Sequence, residues 1–172
     1  MKWISFLILI FLFLFSCTSF AADRWQFIVS NTSSDYSFDT QSIKYTNLPD
    51  STIIDKSGIL VNVKRVYSME MKQHMITASA ETTQSEDAQS RIANAAYAVD
   101  EDLYDITHNS FKKYSVYYYD KNNNLSHRQY YQTQPIVISP NSIEEKVFKA
   151  IAIYVKDHDE EIEARSKGLE SL

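Results

Sequence analysis

The sequence is poor in the residues that punctuate or staple a chain. Its 172 residues include one cysteine, two glycines (Gly58 and Gly168) and three prolines. Two glycines cannot build a glycine-rich phosphate cradle. The cysteine, Cys17, lies in the N-terminal apolar stretch. Everything after it therefore lacks an internal disulfide, a thiolate nucleophile and a cysteine-based zinc site. Basic residues are also short, with 17 Lys+Arg against 22 Asp+Glu and a net charge of −5. That balance excludes a nucleic-acid binder relying on net positive charge. Collagen, coiled-coil and disulfide-scaffold compositions are excluded as well.

What is abundant is aromatic. All twelve Tyr lie beyond residue 21, whereas five of the nine Phe lie before it. The ring and β-branched content is too high for a disordered chain. At the N-terminus, Lys2 is followed by an unbroken apolar run from Phe6 to Phe15. This matches the charged and apolar regions of a secretory signal, and Ser19-Phe20-Ala21 puts small residues at −3 and −1. Cleavage after Ala21 is expected. Two other readings stay open. Trp3 to Ala22 is just long enough for an uncleaved anchor. Leu14-Phe15-Ser16-Cys17 resembles a lipobox, in which Cys17 is the lipidation site. All three place the folded part outside the cytoplasm, in the periplasm or at the cell surface. Membrane contact is then limited to a signal anchor or lipidated Cys17. Residues 22–172 leave 151 residues for a single domain, with 16 basic and 22 acidic side chains. A chain of that size buries roughly two-thirds of its surface on folding.

Trp25, Phe27 and Val29 alternate and predict a first strand. Tyr36 to Asp39 reads as a second, followed by a helical turn over Thr40–Ile43 and a loop over Asn47–Gly58 in which Ile53-Ile54 forms an edge strand. Ile59, Val61 and Val63 define the central strand, and Val66-Tyr67 breaks its phase, which predicts a bulge near Lys64-Arg65. Met69–Ser79 fits either helix or strand. Ser85-Glu-Asp opens a shorter helix over Ala88–Val99, closed by the acidic run Asp100-Glu-Asp102. Leu103–Thr107 reads as a strand. Phe111–Tyr119 and Leu125–Gln132 form a hairpin around Asp120–Asn124, because Asn tolerates left-handed backbone angles. Pro140 stands at the first position of a long helix with a capping box over Ser142–Glu145. Ile143, Val147, Ile151, Tyr154 and Val155 form its apolar stripe, and it runs to about Ser166, stopping near Gly168.

This layout resembles the surface-adhesin protein E family of small secreted or lipidated bacterial proteins. The matching residues are Trp25, the Tyr36-x-Phe-Asp39-Thr-x-Ser-Ile43 motif, Val61-x-Val-Lys64-x-Val-Tyr67, the Tyr117-Tyr-Tyr-Asp120 strand end and the Pro140-x-Ser142-x-x-Glu145 helix start. The resemblance implies an α+β fold, an antiparallel sheet of about six strands with a long C-terminal helix packed on one face; the shorter helix near 85–99 is a departure from that layout, an insertion or local variant. It also implies a surface or periplasmic binding protein. Family members often tie the helix to the sheet by a disulfide, which this chain lacks beyond Cys17, and Asn replaces the usual glycine in the hairpin turn.

Catalytic signatures are sparse. His74, His108, His127 and His158 lie apart, and Asp157-His-Asp-Glu-Glu161 reads as a solvated acidic face rather than a metal site. Asp100/Asp102 and Glu144/Glu145 sit where helix boundaries place charges. No Gly-x-Ser-x-Gly elbow is present. No catalytic, cofactor or metal residue is assigned, and the chain is read as a non-enzyme. The distinctive feature is the hairpin, where Tyr117, Tyr118, Tyr119, Tyr130 and Tyr131 divide between two faces beside Arg128. Cross-strand packing explains part of this. The rings left exposed, with Arg128, form the candidate surface for a protein or glycoprotein ligand at the cell surface. A bulge near Ser115 decides which rings those are. The expected function is an exported, adhesin-like binding module. The alternatives are a periplasmic structural or envelope-associated protein without external ligand, and a small secreted hydrolase.

Overall fold

A computed structural model describes residues 24–79, 86–132 and 134–168. The Ala21 cleavage point and Cys17 lie outside the described residues. Six strands form one antiparallel path in the order β1 (Trp25–Ser30), β2 (Ser34–Asp39), β4 (Ile54–Tyr67), β5 (Tyr97–Asp105), β6 (Ser110–Tyr119) and β7 (Leu125–Tyr130). Off this path, β3 (Lys44–Asn47) pairs with β4, and β8 (Ile136–Val137) pairs with β6. Four helices are present among the described residues: α1 (Met69–Ser79), α2 (Glu86–Ala93), α3 (Ile143–Asp157) and α4 (Asp159–Ser166). The α+β class and the antiparallel sheet are as expected from the sequence.

The pairing register shows which residues share a face. Phe38 faces Val63, and Tyr36 faces Arg65. Ile59, Val61, Val63 and Arg65 face Tyr104, Asp102, Asp100 and Ala98 in turn. Those four face Phe111, Lys113, Val116 and Tyr118 across β6. All therefore project to one side, the inner face. Every described helix packs there. Val147, Ile151, Val155 and Ile162 of α3 and α4 join Phe38, Ile59, Val61, Val63 and Tyr104 in one apolar cluster. Met71, Met75 and Ile92 of α1 and α2 close a second cluster over Tyr67, Ala98, Val116 and Tyr118.

Several local expectations are corrected. Strand β4 pairs with β5 without interruption from Gly58 to Val66, so no bulge lies at Lys64-Arg65. The phase changes because Arg65 points inward and Val66, 41% exposed, points out. The helix expected to reach Val99 stops at Ala93, and Tyr97 already begins β5. Asp100 and Asp102 are inward strand residues, not a helix-closing run. Strand β3 falls where no strand is expected, and the expected Asn47–Gly58 loop with its Ile53-Ile54 edge strand shortens to residues 48–53, because Ile54 pairs with Asn47 and already begins the central strand β4. At Gly58, further along β4, an added Cβ would overlap the Thr46 hydroxyl unless that side chain shifted.

The long C-terminal helix is two helices. At His158 the backbone leaves the helical region (φ −125°, ψ 26°) before α4 begins. Pro140 precedes α3 in a turn, because Asn141 takes a left-handed φ of 63°. Ser142 is the N-cap and accepts from the Glu145 N–H, while Glu145 reaches back to the Asn141 N–H at 2.8 Å. Helix α4 is held by the buried Ile162 and by polar contacts. The Tyr45 hydroxyl donates to Asp159 at 2.5 Å, Lys56 bridges Asp159 and Glu163 at 2.7 Å each, and Arg165 donates to the Thr40 carbonyl at 2.8 Å.

Candidate functional site

No helix covers the outer face of the sheet among the described residues. Its side chains run in cross-strand rows. One row reads Phe27, Ser37, Lys64, Val99, Tyr117 and Arg128 from β1 to β7. A neighbouring row carries Val66, Tyr97, Tyr119 and Leu125. These rows interleave cations and rings. The Lys64 ammonium lies 4.3 Å from the Tyr97 ring centre and 5.4 Å from that of Trp25. Tyr97 stacks on Tyr119 at 4.9 Å. The Arg128 guanidinium lies 4.5 Å from Tyr117 and 4.1 Å from Tyr130. Contacts of this kind hold long cationic side chains flat on the sheet and leave their charged ends presented to solvent.

The hairpin forms as its sequence predicts. Asp120 accepts from the Asn122 and Asn124 N–H groups at 2.8 and 2.9 Å, and Asn123 takes the left-handed φ of 64°. A bulge does occur at the anticipated place. Glu101 faces Ser115 and Asp102 faces Lys113, so Tyr114 is the extra residue. Downstream of it, Tyr117 and Tyr119 point outward, with Arg128 and a 68% exposed Tyr130 beside them. Tyr118 is a correction, because at 7% exposure it belongs to the second core cluster. Tyr131 packs against that same cluster and also leaves the outer surface. The covering layer is α1 and α2 rather than the C-terminal helix. Trp25, Lys64 and Tyr97 were not anticipated as part of this surface. Tyr97 carried the signal, since Tyr97-x-Val99 alternates like a strand.

The inner face holds a second unusual feature. Between the two apolar clusters lies a band of charge. Arg65 donates to Asp100 at 2.6 Å, and Lys113 also donates to Asp100. Asp100 and Asp102 are each 3% exposed. Asp102 is the less well served carboxyl, with its nearest cation, Lys113, at 3.6 Å. Burial raises its carboxyl to about 7, and the Lys113 charge opposes the rise while Asp100 adds to it. Burial likewise holds the neighbouring Tyr104 phenol well above its usual range. The band borders a cavity of about 110 Å³ under the start of α3.

The remaining motifs are structural. Asp39, fully buried, accepts two bonds from Arg24 at 2.7 and 3.0 Å and one from the Gln41 N–H at 3.0 Å. Ser42 donates to the Asp39 carbonyl and accepts from the Asn62 N–H. The Asp39-Thr-x-Ser stretch thus stitches β2 to the strand ends around it. In the Asp157–Glu161 cluster, Asp159 is engaged by Lys56 and Glu161 by Arg165. No group of three or more metal-ligating side chains is assembled among the described residues. None of their helices is long and apolar enough to cross a membrane.

Among the described residues, fold and surface define an α+β protein with one helix-covered sheet face and one aromatic face that no helix covers. No protein-family model and no curated protein matches the chain. Among solved structures, it is similar to protein E from non-typeable Haemophilus influenzae, at 9% identity and a TM-score of 0.44, over 86% of this chain and 90% of that one. A likeness at this level assigns neither a family nor an activity.

Proposed function

We propose that the protein is an exported, non-enzymatic binding module of the adhesin-like kind, which holds a protein or glycoprotein partner at the cell surface on the outer face of its sheet. One observation carries this reading. Six rings (Trp25, Phe27, Tyr97, Tyr117, Tyr119 and Tyr130) share a face that no described helix covers, interleaved with Lys64 and Arg128. Tyr, Trp and Arg supply large contact area at low conformational cost and are the residues that dominate binding energy at interfaces. Export rests on the sequence features of residues 1–21, and any membrane tether is the signal anchor or a lipidated Cys17.

The test has two arms. Protease or antibody labelling of intact cells is expected to reach the domain. A domain labelled only after the envelope is opened points instead to a periplasmic structural role. Replacing Tyr117 and Tyr130 together by Ser is expected to weaken capture of surface partners by about 2 kcal/mol with the fold intact. Unchanged binding by that double variant overturns the outer face as the contact surface.

A further inference from the structure

The charged band on the inner face borders a cavity. Its cavity has apolar walls, Val63, Phe111 and Val147, and a polar end. At that end two buried atoms, Arg65 Nε and Asp102 Oδ1, have no hydrogen-bond partner among the described residues. Asp100 is already satisfied by two cations, so it does not relieve them. Native proteins rarely leave buried polar atoms unpaired, and such atoms flag a missing partner. Here Arg65 and Asp102 both line the same opening of about 110 Å³, and the nearest cation to Asp102 Oδ1 is Lys113 at 3.6 Å. That opening is larger than a single water requires.

We propose that this cavity binds a small free carboxylate, its planar head between Arg65 and Asp102 and its short apolar tail against Val63, Phe111 and Val147. The ligand carboxylate and Asp102 share one proton, which Asp102, its carboxyl raised by burial, supplies below neutrality. The shared proton lets two carboxyl groups approach, and Arg65 supplies the compensating charge. A cationic ligand is repelled by Arg65 and Lys113. A doubly charged anion is penalised by Asp100 and by Glu144 at the rim. The ionisable groups around Asp102 are Tyr36 from β2, Arg65 from β4, Asp100 and Tyr104 from β5, Lys113 from β6 and Glu144 from α3. Of the shifts resolved among them, only that of Asp102 brings a carboxyl toward neutrality.

The experiment is a titration of the purified protein with propionate at pH 6, followed by NMR. Saturable shifts confined to cavity residues are expected, with a Kd in roughly the millimolar range. Propionamide, of the same shape but uncharged, is expected to bind at least about tenfold more weakly. Above neutrality, propionate affinity is expected to fall by about tenfold per pH unit, because binding then takes up one proton. Asp102→Asn removes that pH dependence if it folds. The wild-type contrast of propionate with propionamide decides the matter without it. Equal binding of the two probes, or no saturation by about 100 mM, overturns the proposal.

Discussion

Val63 and Lys64 are neighbours in one strand and meet opposite worlds. Val63, 3% exposed, touches the apolar cluster beneath α3. Lys64 lies between Trp25 and Tyr97 on a face that no described helix covers. The inner face is held by exclusion of water, and its one polar band is arranged in ion pairs. The outer face is held by rings that touch one another and by cations laid across them. Removing an inner side chain leaves a cavity or an unpaired charge. Removing an outer one leaves a gap that water fills. Stability is therefore expected to be concentrated on one side of the sheet and binding on the other.

The sharpest way to break that contrast is a charge under α3. Ile151 is fully buried, and Ile151→Asp is expected to cost about 4 kcal/mol or more in denaturant unfolding. A loss below about 0.5 kcal/mol would mean that α3 is not docked on the sheet. Next in size is Asp100→Ala, which strands Arg65 and Lys113 together and is expected to cost about 3 kcal/mol. If thermal unfolding moves little, the band is not the inner-face element described above.

Asp102 adds a pH dependence of known sign. Its carboxyl is raised in the folded state, from 3.8 to about 7, chiefly by burial. The folded protein then holds a proton that the unfolded chain has released. Stability from this group is full below about pH 4 and is lost as pH rises toward 7. The loss is expected to be on the order of 2 kcal/mol, because Asp100 and the two cations share the titration. Unfolding midpoints across pH 4 to 8 check this, with Asp102→Asn expected to flatten the slope. The smallest effect belongs to the outer face. Lys64→Ala is expected to change stability by no more than about 0.5 kcal/mol. A loss several times larger would show that the cation ladder holds the sheet together rather than presenting a surface.

Much of this was legible in the residues themselves. Asp120–Asn124 announced its turn because Asp and Asn bond their own backbone and accept left-handed angles. Ser142 announced a helix start, and Val147, Ile151 and Val155 announced its buried stripe, all three being core residues. Two expectations fail beside the charged band. The phase break at Val66-Tyr67 suggests a bulge near Lys64-Arg65, and helical spacing up to Val99 with the acidic run Asp100–Asp102 behind it suggests a helix end, yet Arg65, Asp100 and Asp102 are inward strand residues. Alternation of apolar and polar residues locates a strand only when its inward side chains are apolar. Here three inward positions on two strands are ionised or ionisable, so the pattern inverts.

The hairpin shows the same division. Sequence alone established that Tyr117, Tyr118, Tyr119, Tyr130 and Arg128 lie within two paired strands, and that neighbouring rings point to opposite sides. That follows from strand geometry. It could not establish which side stayed bare, because that depends on where the helices fold back. Only the tertiary structure placed α1 and α2 over Tyr118, left Tyr117, Tyr119 and Tyr130 in the open, and added Trp25, Phe27, Lys64 and Tyr97 from strands far away in the chain. Local chemistry fixes turns, caps and alternation within a few residues. The partners that make Asp102 a buried acid and Lys64 a clamped cation come from β4, β5, β6 and β1, and they meet only when the sheet closes.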